Sequence, residues 1–167
     1  MPETNVIKSK GLPCIPLDPV EHAVISQALM AAGKEMGVKL IRSSYSNIVR
    51  EAQDASAALF DRDGRVIAQA ELIPMQLGPM SDIFRACADV VPPNALREGD
   101  FYINNDPYGG GQHLQDVFIF SPVFVDSELV AFAGTVSHHL DLGGGNPGLS
   151  PDAVDVHAEG IIFTPSV

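Results

Sequence analysis

The sequence predicts an α+β fold in which antiparallel β-hairpins pack against one long N-terminal helix and a shorter second helix. Three features carry this expectation: a capped segment of helical period near the start, an apolar pair centred on a glycine turn after it, and a long apolar strand pair in the second half. The chain has 167 residues, 46% of them hydrophobic, enough to bury one core. Residues 1–17 read as an extended arm and residues 18–167 as a single domain.

The arm lacks any period and contains Pro2, Pro13 and Pro16. Asp18-Pro19-Val20-Glu21 then starts a helix. Asp18 serves as N-cap, Pro19 fits the first turn, and Glu21 is placed to reach back as in a capping box. Ile25, Leu29, Ala32, Met36 and Leu40 follow on one face, predicting a core helix. Gly33 and Gly37 each cost that helix about 1 kcal/mol relative to alanine, and mark close packing against a neighbour.

Residues 56–60 and 65–69 flank Asp61-Arg62-Asp63-Gly64 and predict a β-hairpin. A proline-broken stretch, Ile73-Pro74-Met75-Gln76-Leu77-Gly78-Pro79, leads to a short helix over 81–91 that ends at Pro92-Pro93. A strand over 101–103 runs into the loop Asn104-Asn105-Asp106-Pro107-Tyr108-Gly109-Gly110-Gly111. Residues 117–125 and 129–137 form the strongest strand pair, followed by a second glycine-rich loop over 143–148 and a last short apolar piece. Neither a repeat nor a linker interrupts this order.

Ten Lys and Arg face 21 Asp and Glu, a net charge of −11, which argues against a phosphate-neutralising surface and hence against nucleic acid as partner. No apolar run reaches the roughly 18 residues of a membrane span, and no apolar segment of a secretory signal follows the first lysines. The two cysteines, Cys14 and Cys87, are too few for a disulfide framework or a structural zinc site. A cytoplasmic location is the simplest expectation.

Three histidines cluster with carboxylates in His113-Leu114-Gln115-Asp116 and His138-His139-Leu140-Asp141, each segment beside a glycine run. A hairpin built from 117–125 and 129–137 would gather both at its open end. A three-residue loop at Asp126-Ser127-Glu128 places Asp116 opposite His138 and His113 opposite Asp141. A two-residue loop at Asp126-Ser127 places Asp116 opposite Ser137, and a slip of one residue reverses the faces. Two imidazoles and a carboxylate suit a first-row divalent metal such as Mn²⁺, Zn²⁺ or Fe²⁺, with positions left open for a substrate or water. The remaining His139 and Asp141 are placed to orient ligands or to act as acid and base. A single histidine near a strand end is ordinarily a hydrogen-bonded structural residue, and His22 and His157 are read that way. Gly109-Gly110-Gly111 lacks the lysine of a phosphate-binding loop, and Asp61-Arg62-Asp63-Gly64 has too few ligands for calcium.

Residues 105–116, Asn-Asp-Pro-Tyr-Gly-Gly-Gly-Gln-His-Leu-Gln-Asp, resemble the NDPY-x-GGTHLPD signature of the hydantoinase B family, and residues 138–144 match its HHxDxGG segment. Residues 46–61 resemble a further block of that family, and Pro151-Asp152-Ala153 with Glu159-Gly160 fit the segment that follows. The family comprises B-type subunits of ATP-dependent hydantoinases, 5-oxoprolinase regions and the large subunits of acetone carboxylases. The resemblance implies a metal held by His113, Asp116 and His138, and a partner subunit of the hydantoinase A/oxoprolinase kind that uses ATP. It implies a small carbonyl substrate, a cyclic amide or a ketone. Glu51, with Asp54, lies in a matching block and is a weaker catalytic candidate.

Gln112 and Gln115 replace the Thr and Pro of the first motif, and Gln76 stands where many members have histidine. Glutamine hydrogen-bonds but cannot serve as a general base at neutral pH. B-type subunits are several times longer than this chain, so residues 18–167 are expected to be the N-terminal portion of such a subunit, truncated at the C-terminus and inactive in isolation. Two other readings remain: a non-catalytic assembly module, and a stand-alone metal-dependent hydrolase.

Overall fold

The computed structural model describes residues 16–70 and 72–167. The expected extended arm falls outside these except for its last two residues, as does Cys14. The first described element is α1 (Pro19–Ser43), and it starts as its sequence dictates. The Asp18 carboxylate accepts hydrogen bonds from the backbone N–H of Val20 and Glu21, and Glu21 accepts from the Asp18 N–H.

Five strands form one antiparallel sheet: β1 (Ala55–Asp61), β2 (Val66–Gln69), β3 (Tyr102–Asn104), β4 (Asp116–Val125) and β5 (Glu128–His138), in the spatial order β2-β1-β5-β4-β3. The short helical piece α2 (Asn47–Arg50) leads from α1 into β1, α3 (Pro74–Leu77) follows β2, α5 (Val156–Glu159) follows β5, and α4 (Met80–Val90) covers one face. The α+β architecture thus matches the expectation, with one correction to α1. Its anticipated apolar stripe is not the buried one: Ile25 and Ala32 are exposed, Leu29, Met36 and Leu40 are half-buried, and only Gly33 and Gly37 are buried. A Cβ at Gly33 would touch the Gln69 backbone, and one at Gly37 would press on Ala70 and Leu72. Backbone proximity, rather than side-chain volume, therefore seats α1 across β1 and β2.

The core lies between the sheet and α4. Alternation along β1 and β5 sends Ala58, Phe60, Phe132 and Val136 into it, together with Phe118 and Phe120 of β4. Met80, Ile83, Phe84, Cys87 and Ala88 of α4 close it from above. The Phe84 ring sits at the centre, edge-on to Phe132 at 4.7 Å and to Phe120 at 5.5 Å. Tyr102 donates its hydroxyl to the Val91 carbonyl at 2.6 Å and so caps the end of α4. Gly134 is the point where the sheet leaves room for the rings, since a Cβ there would strike both Phe60 and Phe120.

The β4–β5 connection resolves the register. Its turn has two residues, Asp126 and Ser127, both with positive φ, and Val125 pairs with Glu128. Between Val123 and Phe124 the register shifts: Phe124 pairs with Leu129 but Val123 pairs with Ala131, leaving Val130 as an extra residue. That bulge moves every later pair by one, so Asp116 faces His138 despite the two-residue turn. At the outer edge the last apolar piece runs beside β3, with Ile103 and Ser166 exchanging backbone hydrogen bonds.

Candidate metal centre

Strand ends and one tight loop build the site. Asp116 is the first residue of β4 and His138 the last of β5, so the hairpin ladder itself places them side by side. His113 comes from the loop before β4. There Asp106 caps the turn at Pro107, and its carbonyl accepts from the N–H groups of Gly109 and Gly111. Gly110 has φ +104, and a Cβ at Gly111 would stand against the Asp106 carbonyl, so this loop needs glycine at both positions. Buried Asn105 then ties the loop down by donating to the carbonyls of Leu114 and Ile161 and accepting from the Phe163 N–H.

His113 Nε2 lies 3.4 Å from Asp116 Oδ2, and His138 Nδ1 lies 3.5 Å from Asp116 Oδ1. The two imidazole rings meet edge to face at 5.1 Å. One ligand atom from each of the three residues falls within 4.8 Å of the others. A second carboxylate joins them through the sheet. Pairing of β1 with β5 brings Asp54, just before β1, to the end of β5, where its carbonyl accepts from the His138 N–H and its Oδ2 lies 3.6 Å from His138 Nδ1. Beneath both carboxylates, the Gln76 amide donates to Asp54 Oδ1 at 2.8 Å and to Asp116 Oδ1 at 3.1 Å.

Burial pushes the Asp116 carboxyl above the ordinary carboxylate range, and the facing His113 and His138 partly oppose that rise. Among the described residues, imidazoles are the only basic groups paired with Asp54 or Asp116. His113 Nδ1 is buried without a partner. A buried carboxylate, a second one beside it, and two imidazoles with no lysine or arginine make a donor set that a divalent cation would satisfy. The residues fit such an ion.

The other anticipated residues are placed differently. His139 is exposed beside the cluster, with Nε2 3.4 Å from the Ser137 hydroxyl, and partial burial and the neighbouring His138 hold its pKa below the usual histidine value. Asp141 is exposed and accepts from the Gly143 N–H at 2.8 Å, which shapes the start of the second glycine loop. Glu51 is exposed at the end of α2 and is not brought to the cluster, whereas Asp54 of the same block is.

Two placements are not legible in the sequence. One is the position of Gln76 under both carboxylates, which depends on α3 folding across β1. The other is a cleft of about 310 Å³ that opens beside His138 and His139 and is lined also by Tyr45, Ser46, Asn47 and Ser137. Ser46 and Asn47 begin the block that carries the family resemblance, which was the available signal for the cleft.

Residues 18–167 match the profile described as hydantoinase B/oxoprolinase. The B-type subunit of the putative D-/L-hydantoinase of Pseudomonas sp. strain NS671 is 37% identical over 152 residues, covering 88% of this chain and 26% of that protein. The crystal structure of the ATP-dependent caprolactamase from Pseudomonas jessenii superposes with a TM-score of 0.81 at 36% identity, over 90% of this chain and 26% of that one. A nucleotide-free acetone carboxylase structure shares the fold, with a TM-score of 0.79 at 22% identity over 88% of this chain and 20% of that one. The chain thus spans about a quarter of the curated hydantoinase relative it matches. Among the described residues, no helix is long and apolar enough to cross a membrane.

Proposed function

Because the chain belongs to the hydantoinase B/oxoprolinase family, we propose that it is the metal-binding, N-terminal part of a B-type subunit in an ATP-dependent enzyme acting on a small carbonyl compound. The observation that carries this reading is the meeting of His113, Asp116 and His138 at the open end of one hairpin, next to a cleft of small-molecule size. A cyclic amide is the favoured substrate class. Relatives at 36–37% identity include ones named as a hydantoinase, 5-oxoprolinases and a caprolactamase, whereas the acetone carboxylase shares the fold alone.

His113, Asp116 and His138 would hold the ion, with Asp54 beside them. When bound, the ion would supply Lewis-acid polarisation of a carbonyl or of a water. The chain's own residues do the rest. Asp116 offers its carboxylate from a buried position, where its interaction with a cation is stronger than in water. His139 lines the cleft, and its lowered pKa keeps the imidazole neutral near neutral pH and able to accept a proton. Tyr45, Ser46 and Asn47 also line the cleft and would bound the substrate. ATP would be used by a partner of the hydantoinase A/oxoprolinase kind, in keeping with relatives named as subunits.

Elemental analysis and turnover of the assembled enzyme test this reading. One divalent metal per chain and ATP-dependent opening of a cyclic amide are expected, and His113→Ala should lose both metal and turnover while keeping the fold. Full activity in a metal-free preparation would sink the metal role.

A further inference from the structure

We propose that Gln76 is the positioning residue of this cation site: its amide clamps the carboxylates of Asp54 and Asp116 side by side so that both face the incoming ion. The inference rests on the metal reading above and goes beyond it, because Gln76 is not among the ligands.

Gln76 is 1% exposed, and its Nε2 group reaches both carboxylates. The assignment of nitrogen to that side follows from the partners, since the amide oxygen would otherwise face two acceptor anions. The consequence is unfavourable for packing: Oε1 is left buried without a hydrogen-bond partner. A methionine would fill the same space without that cost. Gln76 is therefore a poor core residue, and its donors explain its place.

The clamp is held rigidly. Ser56 of β1 exchanges hydrogen bonds with Ile73 at the start of α3, its hydroxyl donating to the carbonyl at 3.1 Å and accepting from the N–H at 3.2 Å. From the loop before β4, Gln112 donates to the Met75 carbonyl at 2.9 Å. α3 is thus fastened to the strand that follows Asp54 and to the loop that carries His113. The chemistry of the clamp matters as much as its position. Two like charges this close raise each other's cost, and an amide offers each a donor without adding a positive charge. A lysine there would neutralise the pair and compete with the ion. A neutral donor holds the two carboxylates in place and puts no competing cation beside them.

The test is cation affinity of the full-length chain, measured by calorimetry with Mn²⁺, and the visible absorption spectrum of the Co²⁺ form. Gln76→Met keeps the volume and removes the donors. It is expected to weaken Mn²⁺ binding by about 10–100-fold, the range seen when a partner that orients metal ligands is lost, and to shift the Co²⁺ bands. Gln76→Asn draws the amide back by one methylene and should change both readouts in the same direction, which keeps the test open should the methionine variant fold poorly. Ser56→Ala removes one of the two fastenings of α3 and leaves Gln112 and both Gln76 donors, so it should lower thermal stability with a smaller change in affinity than either Gln76 variant. Wild-type affinity and spectrum in either Gln76 variant would overturn the clamp. So would an equal loss of affinity in Ser56→Ala, since that would make the effect merely structural. A wild-type chain that binds no Mn²⁺ would instead overturn the metal reading itself.

Discussion

At its tip the β4–β5 hairpin turns through Asp126 and Ser127 in water, whereas at its open end the same two strands bring Asp116 and His138 together out of water. Between these ends, Phe118, Phe120, Phe132 and Val136 anchor the ladder in the core. The difference separates three tasks along one element. The middle supplies stability, the bulge near the tip sets the register, and the open end receives charged groups that would be costly anywhere else in the sheet. Stability built in the middle permits the Asp116 carboxylate at the end, where burial disfavours its charge.

The middle is the place to break both ends at once. Phe132→Ala removes a ring that packs on Phe84 and Tyr102, and should cost about 3–5 kcal/mol, read as the shift of a urea or thermal transition. Cation binding should disappear with the fold. By contrast, His113→Ala touches only the open end. It should reduce Mn²⁺ affinity by at least about 100-fold, more than the loss of an orienting partner, while the thermal transition of the metal-free chain stays nearly in place. A large destabilisation of that metal-free chain would show that His113 is structural.

Acidity gives a subtler separation. The raised pKa of Asp116 means that the folded metal-free chain holds this proton over a pH range in which the unfolded chain has lost it. Its contribution to stability is therefore favourable on the acid side and declines as pH rises through the folded value. A bound cation reverses the order, because it needs the carboxylate. The rise in melting temperature on adding Mn²⁺ should be larger at neutral pH than at acid pH, and a pH-independent rise would show that Asp116 does not bind the ion. The tip should give the smallest response. Asp126 and Ser127 both have positive φ, so D126N with S127G should stabilise the turn by about 0.5–1 kcal/mol and leave Mn²⁺ affinity unchanged.

What was legible in the sequence was local. The Asp18–Glu21 cap needs only neighbouring residues, and so does the Asp61-Arg62-Asp63-Gly64 turn, where Asp61 accepts from the N–H groups of Asp63 and Arg65. The helix anticipated over 81–91 appears as Met80–Val90 because its apolar period and Pro92-Pro93 are likewise local signals. α2, α3 and α5 were not legible, since four-residue turns are below the length at which a helix sustains itself and tertiary contacts must hold them. The buried seam of α1 was missed for a related reason: apolar side chains mark a helix face, but two glycines can seat it more closely than they do.

By itself, the sequence determined that His113, Asp116 and His138 would come to one end of a hairpin, because their distances from the turn are a matter of counting. It left open whether Asp116 would face His138 or Ser137. Tertiary structure decided that through Val130, an extra residue whose bulge offsets a two-residue turn by one position. It also decided the company these residues keep. Asp54 arrives only because β1 pairs with β5, and Gln76 because α3 packs across β1. Counting along a chain fixes which residues lie near a turn, but pairing between distant segments, driven by burial of the common core, chooses their neighbours.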